Sequence, residues 1–343
     1  MLLPIELLGA IVNTLALPAH CQAYGFEPDV LRSLVWLCSS STTLYNITSP
    51  YLYSSVIISR SNHFHSFVDT LCNKKDRLAP ALHSLSLRDF DDTSDDACVI
   101  ELIKLLEHSP NLRRLIIDRD LWKGLYPDDY IYFSDSSSEE NSEPRGFGPE
   151  TIAKHRTEIR SGMDALQCLE ELHSIQDRLR SVETDGTWDG WKNHLQLRYL
   201  SLYNPVIDSN LARDIVPLHF LQCLVLVRPG VNDASIEFFQ AVMARSRVVL
   251  VGPMLCTIAD IRETVIAARP ACEIVYIEAP TDGSHCLPAS CFRDSHILPM
   301  IGHSVDIRQV QLWVREQLER GTIFSEKGTI IWPRNEEQCN INI

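Results

Sequence analysis

Apolar positions along most of this chain follow two periods that alternate with one another. Short runs carry them at every second residue, and longer stretches carry them at every third or fourth. From Leu197 the sequence reads LRYLSLYNP, and from Leu221 it reads LQCLVLVRP. At the same interval again RSRVVLVGP runs from Arg245 to Pro253. After a slightly longer step EIVYIEAP places Ile274 and Tyr276 where the preceding copy has Val248 and Leu250. Each run predicts a short strand with one buried face. Between the runs Ile236, Phe239 and Val242, and then Ile258, Ile261 and Val265, keep the spacing of a helix face. Proline falls at one offset in three copies, as Pro205, Pro229 and Pro253, which chance would not readily give.

The same unit occurs earlier with a looser period. LHSLSL begins at Leu82 and LRRLII at Leu112, with Ile100, Ile103 and Leu106 marking a helix face between them and Ser109-Pro110 closing it. Around residues 166–184, LEELHSI and LRSVETD predict one or two irregular copies, the first readable as strand or helix. A period of roughly 20–29 residues with L-x-x-L-x-L at the strand is the mark of leucine-rich repeats. One such unit cannot bury its own apolar face, whereas a stack can. The expected fold class is therefore α/β, with an irregular solenoid of short parallel strands alternating with helices.

Both ends of the chain depart from this pattern. Leu3, Leu7, Ile11 and Leu15 recur at helical spacing behind Pro4 and Glu6, which suit a first helical turn. Residues 18–29 carry Pro, Gly and Asp and predict a loop. Leu31, Leu34, Val35, Leu37 and Cys38 predict a second helix, and Leu44, Tyr45 and Ile47 a third that Pro50 should stop. YSSVIIS then reads as a strand. The charges in the stretch up to Arg60 are Glu6, Glu27, Asp29, Arg32 and Arg60 itself, so a unit this small and apolar needs a covering surface. At the other end Ile307, Val310, Val314 and Leu318 form one stripe of a helix that Gly321 should stop, read as a cap over the last repeat. The expected organisation is 1–59 helical, 60–300 repeats, and 301–343 cap and tail.

Charge narrows the function. Over 343 residues, 31 Lys and Arg against 45 Asp and Glu give a net charge of −14, which argues against binding to a phosphate backbone. No apolar run reaches membrane-spanning length. The apolar start lacks a basic leader and carries Pro4 and Glu6, so it does not read as a signal peptide. Eleven scattered cysteines fit reduced thiols, and the expected location is cytoplasmic or nuclear, or both. Residues 127–150 carry seven acidic side chains against Arg145, a net −6, and predict a disordered insertion between repeats. Within it Ser136 and Ser137 each precede a Glu by three residues and are candidate phosphorylation sites.

Catalytic signatures are absent: there is no Gly-rich phosphate loop, no G-x-S-x-G and no H-E-x-x-H. His285, Cys286, Cys291 and His296, with His303 nearby, have the residue types of a zinc site without its spacing. A metal-dependent hydrolase within 250–303 is accordingly a minor alternative, and no cofactor is expected. His63 and His65 alternate on a polar stretch and are read as solvent-facing.

LLPIELLGAIVNTL resembles the opening of an F-box, in which Leu-Pro-x-Glu-Leu leads into an apolar helix; Leu3, Pro4, Glu6 and Leu7 match it. LRSLVWLCSSSTTLYNITSPYLYSSVII is similar to the closing part found in fungal F-box proteins, at Leu31, Leu34, Leu37, Cys38, Tyr45, Pro50, Leu52 and Tyr53. The specific resemblance runs from the start of the chain to about Ile57, and the repeats extend it in order and type. It implies an N-terminal helical F-box followed by the repeat solenoid. It also implies a substrate receptor of a Skp–cullin–F-box ubiquitin ligase, with a Skp-type adaptor, a cullin and a target protein as partners and no catalytic residues of its own. The implied adaptor contacts are Leu3, Pro4, Leu7, Ile11, Leu34 and Leu37. The loop at 18–29 is longer than the family's usual form, and Trp36 stands where smaller residues are usual. A repeat scaffold outside ubiquitination is the alternative reading.

Overall fold

The computed structural model describes residues 4–21, 28–73, 78–88, 96–118, 149–175, 194–203, 205, 207–230, 235–242, 246–252, 258–279, 307–325 and 328–332. These form two compact units, one of Met1–Glu171 with Trp188–His194 and one of Leu172–Thr187 with Leu195–Ile343. Both are mixed α/β, with short strands that alternate with helices and run mostly parallel.

The first unit opens with three packed helices, α1 (Ile5–Cys21), α2 (Pro28–Ser40) and α3 (Thr42–Leu52). Ser41 caps α3, where Leu44 N donates to its Oγ over 3.2 Å. Strand β1 (Ser55–Ile58), helix α4 (Ser61–Asn73), strand β2 (Ser84–Leu87), helix α5 (Asp96–Glu107) and strand β3 (Arg114–Ile117) follow. β1, β2 and β3 lie side by side in parallel, with Val56, Leu85 and Leu115 in one row. α4 packs on α5, and α5 on α6 (Pro149–Asp164). Phe64, Phe67, Val68 and Leu71 of α4 and Leu102, Ile103, Leu105 and Leu106 of α5 are buried with Leu85, Leu87, Leu115 and Ile117. At Gly162 a Cβ would sit 3.0 Å from that of Leu106, so the missing side chain is what lets α6 approach α5.

Three expectations change here. α1 runs on to Cys21, through Pro18, and Pro28 opens α2, so the described ends of the expected 18–29 loop are helical. Pro50 does not stop α3, which continues to Leu52. Pro28 opens its helix, where no backbone bond is lost, whereas Pro18 and Pro50 fall in the last turn, where few residues remain to be displaced by the ring. α6 has no counterpart in the sequence pattern. Its apolar stripe is thin, with Ile159 and Met163 buried on a charged segment beside the acidic insertion. Residues 127–148 of that insertion, Ser136 and Ser137 included, lie outside the described residues.

LEELHSI resolves as a strand, β4 (Glu171–Ser174). The second unit then contains β5 (Tyr199–Tyr203), α7 (Ser209–Ile215), β6 (Cys223–Val227), α8 (Ser235–Ala241), β7 (Arg247–Gly252), α9 (Ile258–Ala268) and β8 (Glu273–Glu278). The C-terminal elements are α10 (Ile307–Arg320), a turn at Thr322–Phe324 and β9 (Thr329–Trp332). β5 to β8 are parallel neighbours, with Leu200, Leu224, Val248 and Ile274 in one row and Leu202, Leu226, Leu250 and Tyr276 in another. These rows join the same positions that the repeat spacing aligns in the sequence. The loops beyond the strands are linked as well: Gly230 N donates to Pro205 O over 3.0 Å, and Ile207 N to Gly230 O over 3.1 Å. Pro205 and Pro229 are buried there, and a proline brings no N–H that would need a partner where the ladder ends.

The strands themselves differ from expectation. Every residue of β6 is buried, and Val225, Val249 and Val275 on the second face are as inaccessible as Leu224, Val248 and Ile274 on the first. Strands covered on both sides read as continuous apolar runs, as CLVLV and VVLVG do. At Gly252 an added Cβ would collide with Tyr276 Oη on the neighbouring strand. Gly252→Ala should therefore cost about 1–3 kcal/mol through overpacking. Urea unfolding should show the loss, and Gly252→Ala/Tyr276→Phe should recover part of it. A wild-type midpoint for Gly252→Ala would contradict this packing.

Candidate functional site

The three N-terminal helices turn a small apolar set inward. Val12 and Ala16 of α1, Leu34 of α2 and Thr48 and Ser49 of α3 are buried. A larger apolar set remains outside. Leu7 and Ile11 lie one turn apart on α1 at 52% and 48% exposure, and Leu31 and Val35 lie one turn apart on α2. Trp36, at 73%, is more exposed than either α1 residue. A step of two residues turns about 200° around a helix axis, so fixing Leu34 in the core places Trp36 on the opposite side.

The residues anticipated as adaptor contacts divide accordingly. Pro4, Leu7 and Ile11 are exposed, Leu37 is half-buried, and Leu3 lies outside the described residues. Leu34 is fully buried, so it is a core residue of this layer and not a contact surface. Trp36 stands on the outer side of α2, and Leu31 and Val35 form a separate exposed line along its flank. The signal was present in LRSLVWL: once Leu34 is assigned inward, helical geometry puts Trp36 outward. Charge is sparse here. Among the described residues from Pro4 to Tyr53 the Asp, Glu, Lys and Arg side chains are Glu6, Asp29 and Arg32, and the last two pair at 3.1 Å.

The second unit closes its own strand face. Tyr199, Arg247, Val275 and Ile277 lie on one side of the parallel strands. The Phe324 ring sits 4.4 Å from that of Tyr199, centroid to centroid, and 5.7 Å from that of His173. Arg247 Nη1 donates to Phe324 O, and Arg247 Nε pairs with Glu273 at 3.1 Å. Gly328 backs onto Val275 and Ile277, where any Cβ would meet Val275 Cγ1 at 2.6 Å. Val310, Val314, Leu318 and Ile323 are fully buried, and Trp332 Nε1 donates to Pro270 O over 2.8 Å. The C-terminal segment thus does more than the cap expected of it. β9 extends the edge at β8 in antiparallel fashion, while the turn before it lies over the strand face.

Several ionisable side chains among the described residues join neighbouring elements. His65 is not simply solvent-facing: its Nδ1 meets Glu101 Oε2 at 2.5 Å and joins α4 to α5, whereas His63 is exposed. Arg114 and Glu171 form a largely buried pair at 2.9 Å. Burial pushes the Cys223 and Cys272 thiols up to about 12, which leaves neither as a thiolate near neutrality. Among the described residues no group of three or more His, Cys, Asp and Glu is placed to hold a metal. His285, Cys286, Cys291, His296 and His303 lie outside them. No described helix is long and apolar enough to cross a membrane. Comparison with protein-family models and with curated proteins finds no match to this sequence.

Two outcomes follow. Phe324→Ala should destabilise the chain by about 2–3 kcal/mol and raise its binding of an apolar dye such as ANS; unchanged values of both would mean that the turn does not close the face. His194 is buried, and burial holds its imidazole below the ordinary 6.5 although the Asp164 carboxylate pulls the other way. The unfolded chain therefore takes up this proton first. Stability from His194 is complete above pH 6.5 and is lost as pH falls below it towards the folded value. His194→Leu should flatten that part of the stability–pH curve, and an unchanged slope would contradict the assignment.

Proposed function

We propose that this chain is the substrate-recognition subunit of a Skp–cullin–F-box ubiquitin ligase. In this reading α1 to α3 form the F-box and dock a Skp-type adaptor, and through it a cullin. The repeats form an irregular leucine-rich-repeat solenoid that holds a target protein. The observation that carries the proposal is the apolar outer surface of α1 and α2, with Leu7, Ile11, Leu31, Val35 and Trp36 exposed on a layer that is almost uncharged. Exposed apolar groups in this number on so small a layer mark an interaction surface. The Leu-Pro-x-Glu-Leu resemblance begins within that same helix. Ubiquitin transfer would be carried by other subunits, so the role asks no catalytic group of this chain.

Target recognition would rest on surfaces other than the strand face of the second unit, which the C-terminal turn already occupies. Loops beyond the strand ends, joined through Pro205 and Gly230, are one such surface. A second reading, a repeat scaffold that works outside ubiquitination, draws its support from Trp36, whose size departs from the resembled family at the adaptor-facing helix.

Co-expression of the full chain with a Skp-type adaptor tests the proposal. Wild type should co-purify with the adaptor. Leu7→Asp should abolish the complex by placing a charge where docking removes water, at a cost of several kcal/mol. Because Leu7 is exposed, the melting temperature should stay at the wild-type value. A well-folded wild type that fails to bind would overturn the receptor reading and favour the scaffold.

A further inference from the structure

We infer that the second unit escapes the ubiquitin transfer it directs, because it carries its basic charge on arginine and holds almost no lysine to accept ubiquitin. The inference rests on the receptor reading above and deepens it, since it concerns how such a receptor survives its own ligase. Residues 1–194 hold six lysines and twelve arginines, whereas residues 195–343 hold twelve arginines and one lysine, Lys327. Both segments belong to one chain, so a bias of the whole sequence towards arginine does not account for the difference. Basic charge is kept while the amine is withdrawn. The other six lysines all fall within 74–192, and none lies on α1, α2, α3 or α4. Lys104 on α5 and Lys154 on α6, the lysines among the described residues, are exposed on the first unit.

Packing accounts for only some of these arginines. Arg247 uses its planar fork, donating from Nη1 to Phe324 O while Nε pairs with Glu273 at 3.1 Å. Arg228 Nη1 donates to Tyr203 Oη over 3.1 Å. An ammonium group would not reproduce the fork at Arg247. Arg262 and Arg269, on α9 and just beyond it, and Arg320, in the last turn of α10, are exposed, and Arg320 meets Glu316 only at 4.0 Å. Surface contacts of that kind are worth little, so lysine would serve there equally well. The chemistry of transfer separates the two residues. A lysine Nζ attacks the thioester carbonyl that joins ubiquitin to its conjugating enzyme. An isopeptide bond forms, the C–S bond breaks, the amine gives up a proton and the sulfur leaves as a thiol. A guanidinium stays protonated and does not attack. A target held on the repeats brings the thioester close to that unit. Any lysine there would be tethered at high effective concentration and would compete with the target in every cycle. Arginine in its place removes the competitor.

The test is ubiquitylation of the full chain in a reconstituted complex with a Skp-type adaptor, a cullin–RING module, and the activating and conjugating enzymes. Mass spectrometry maps the modified lysines, and discharge of the conjugating enzyme's thioester reports that the ligase is active. Wild type should carry its ubiquitin within 74–192 and none on Lys327. Arg262→Lys/Arg269→Lys/Arg320→Lys changes exposed positions and should keep the wild-type melting temperature. Its introduced lysines should carry ubiquitin at least about tenfold above the wild-type signal from residues 195–343, as tethered amines do. Introduced lysines that stay unmodified while the thioester is discharged would overturn the inference and leave the receptor reading intact, because the unit would then lie out of reach and its arginines would protect nothing. Wild-type Lys327 modified as heavily as the lysines of 74–192 would overturn it as well. Wild type that fails to bind the adaptor, or binds it without thioester discharge, would remove the receptor reading and this inference with it.

Discussion

Parallel pairing of short strands is the constraint on which the rest of this molecule depends. A short strand contributes few backbone bonds, and each helix between strands has one apolar side to cover. Neither is stable alone, so each repeat borrows its neighbour's surface. The borrowing works only in register, because the side-chain period of a strand is two and a slip of one residue would exchange its faces. In the second unit that register passes from Tyr199 to Cys223 to Arg247 to Glu273, and polar pairs reinforce it at the rim. Tyr199 Oη donates to Gln222 Oε1 over 2.9 Å, and Ser246 Oγ to Leu221 O over 2.8 Å.

Strand pairing leaves a face to be covered, and the two units differ in what the described residues place there. In the second unit the C-terminal turn brings Phe324 over Tyr199 and His173. The valines of β6, β7 and β8 on that face are consequently dry. In the first unit β1 carries Ile57 at 45% exposure, beside the half-buried Ser55 and Ser84. The second unit therefore spends its strand face on internal packing. Exposed large apolar side chains occur on both units, with Leu195, Val216, Phe220, Ile266 and Ile330 on the second, but they are most concentrated on α1 and α2 of the first, at Ile5, Leu7, Ile11, Leu31, Val35 and Trp36. This division of labour, a covered strand face in the second unit against exposed apolar side chains on α1 and α2, is what the adaptor proposal rests on.

Much of the repeat body is legible in the sequence because strand and helix periods announce themselves over several copies. The row Val248–Ile274 and the row Leu250–Tyr276 follow from spacing alone, and so does the stop of α10 at Gly321, whose φ of 68° favours glycine. Two features are not legible. The second buried face of β6 and β7 is hidden because what meets that side of the strands, Phe324 at Tyr199 and Arg247, lies far along the chain and its place is not given by the repeat period. α6 is hidden because PETIAKHRTEIRSGMD holds few apolar residues, and its approach to α5 depends on the missing side chain of Gly162. At the candidate site the spacing brings out the exposed Leu7 and Ile11, but it does not separate Leu34 from Trp36. Helical geometry assigns them opposite sides, and only packing against α3 decides which side faces inward.

Hydrogen-exchange mass spectrometry of the full chain, with and without a Skp-type adaptor, tests this division of labour most directly. The account predicts slower exchange on adaptor binding in peptides covering 5–13 and 29–38, where α1 and α2 present their apolar side chains. It predicts no change in peptides covering 199–203, 223–227 and 247–252, whose strands are already covered by the chain itself. Protection confined to those strands, with α1 and α2 unaffected, would contradict it.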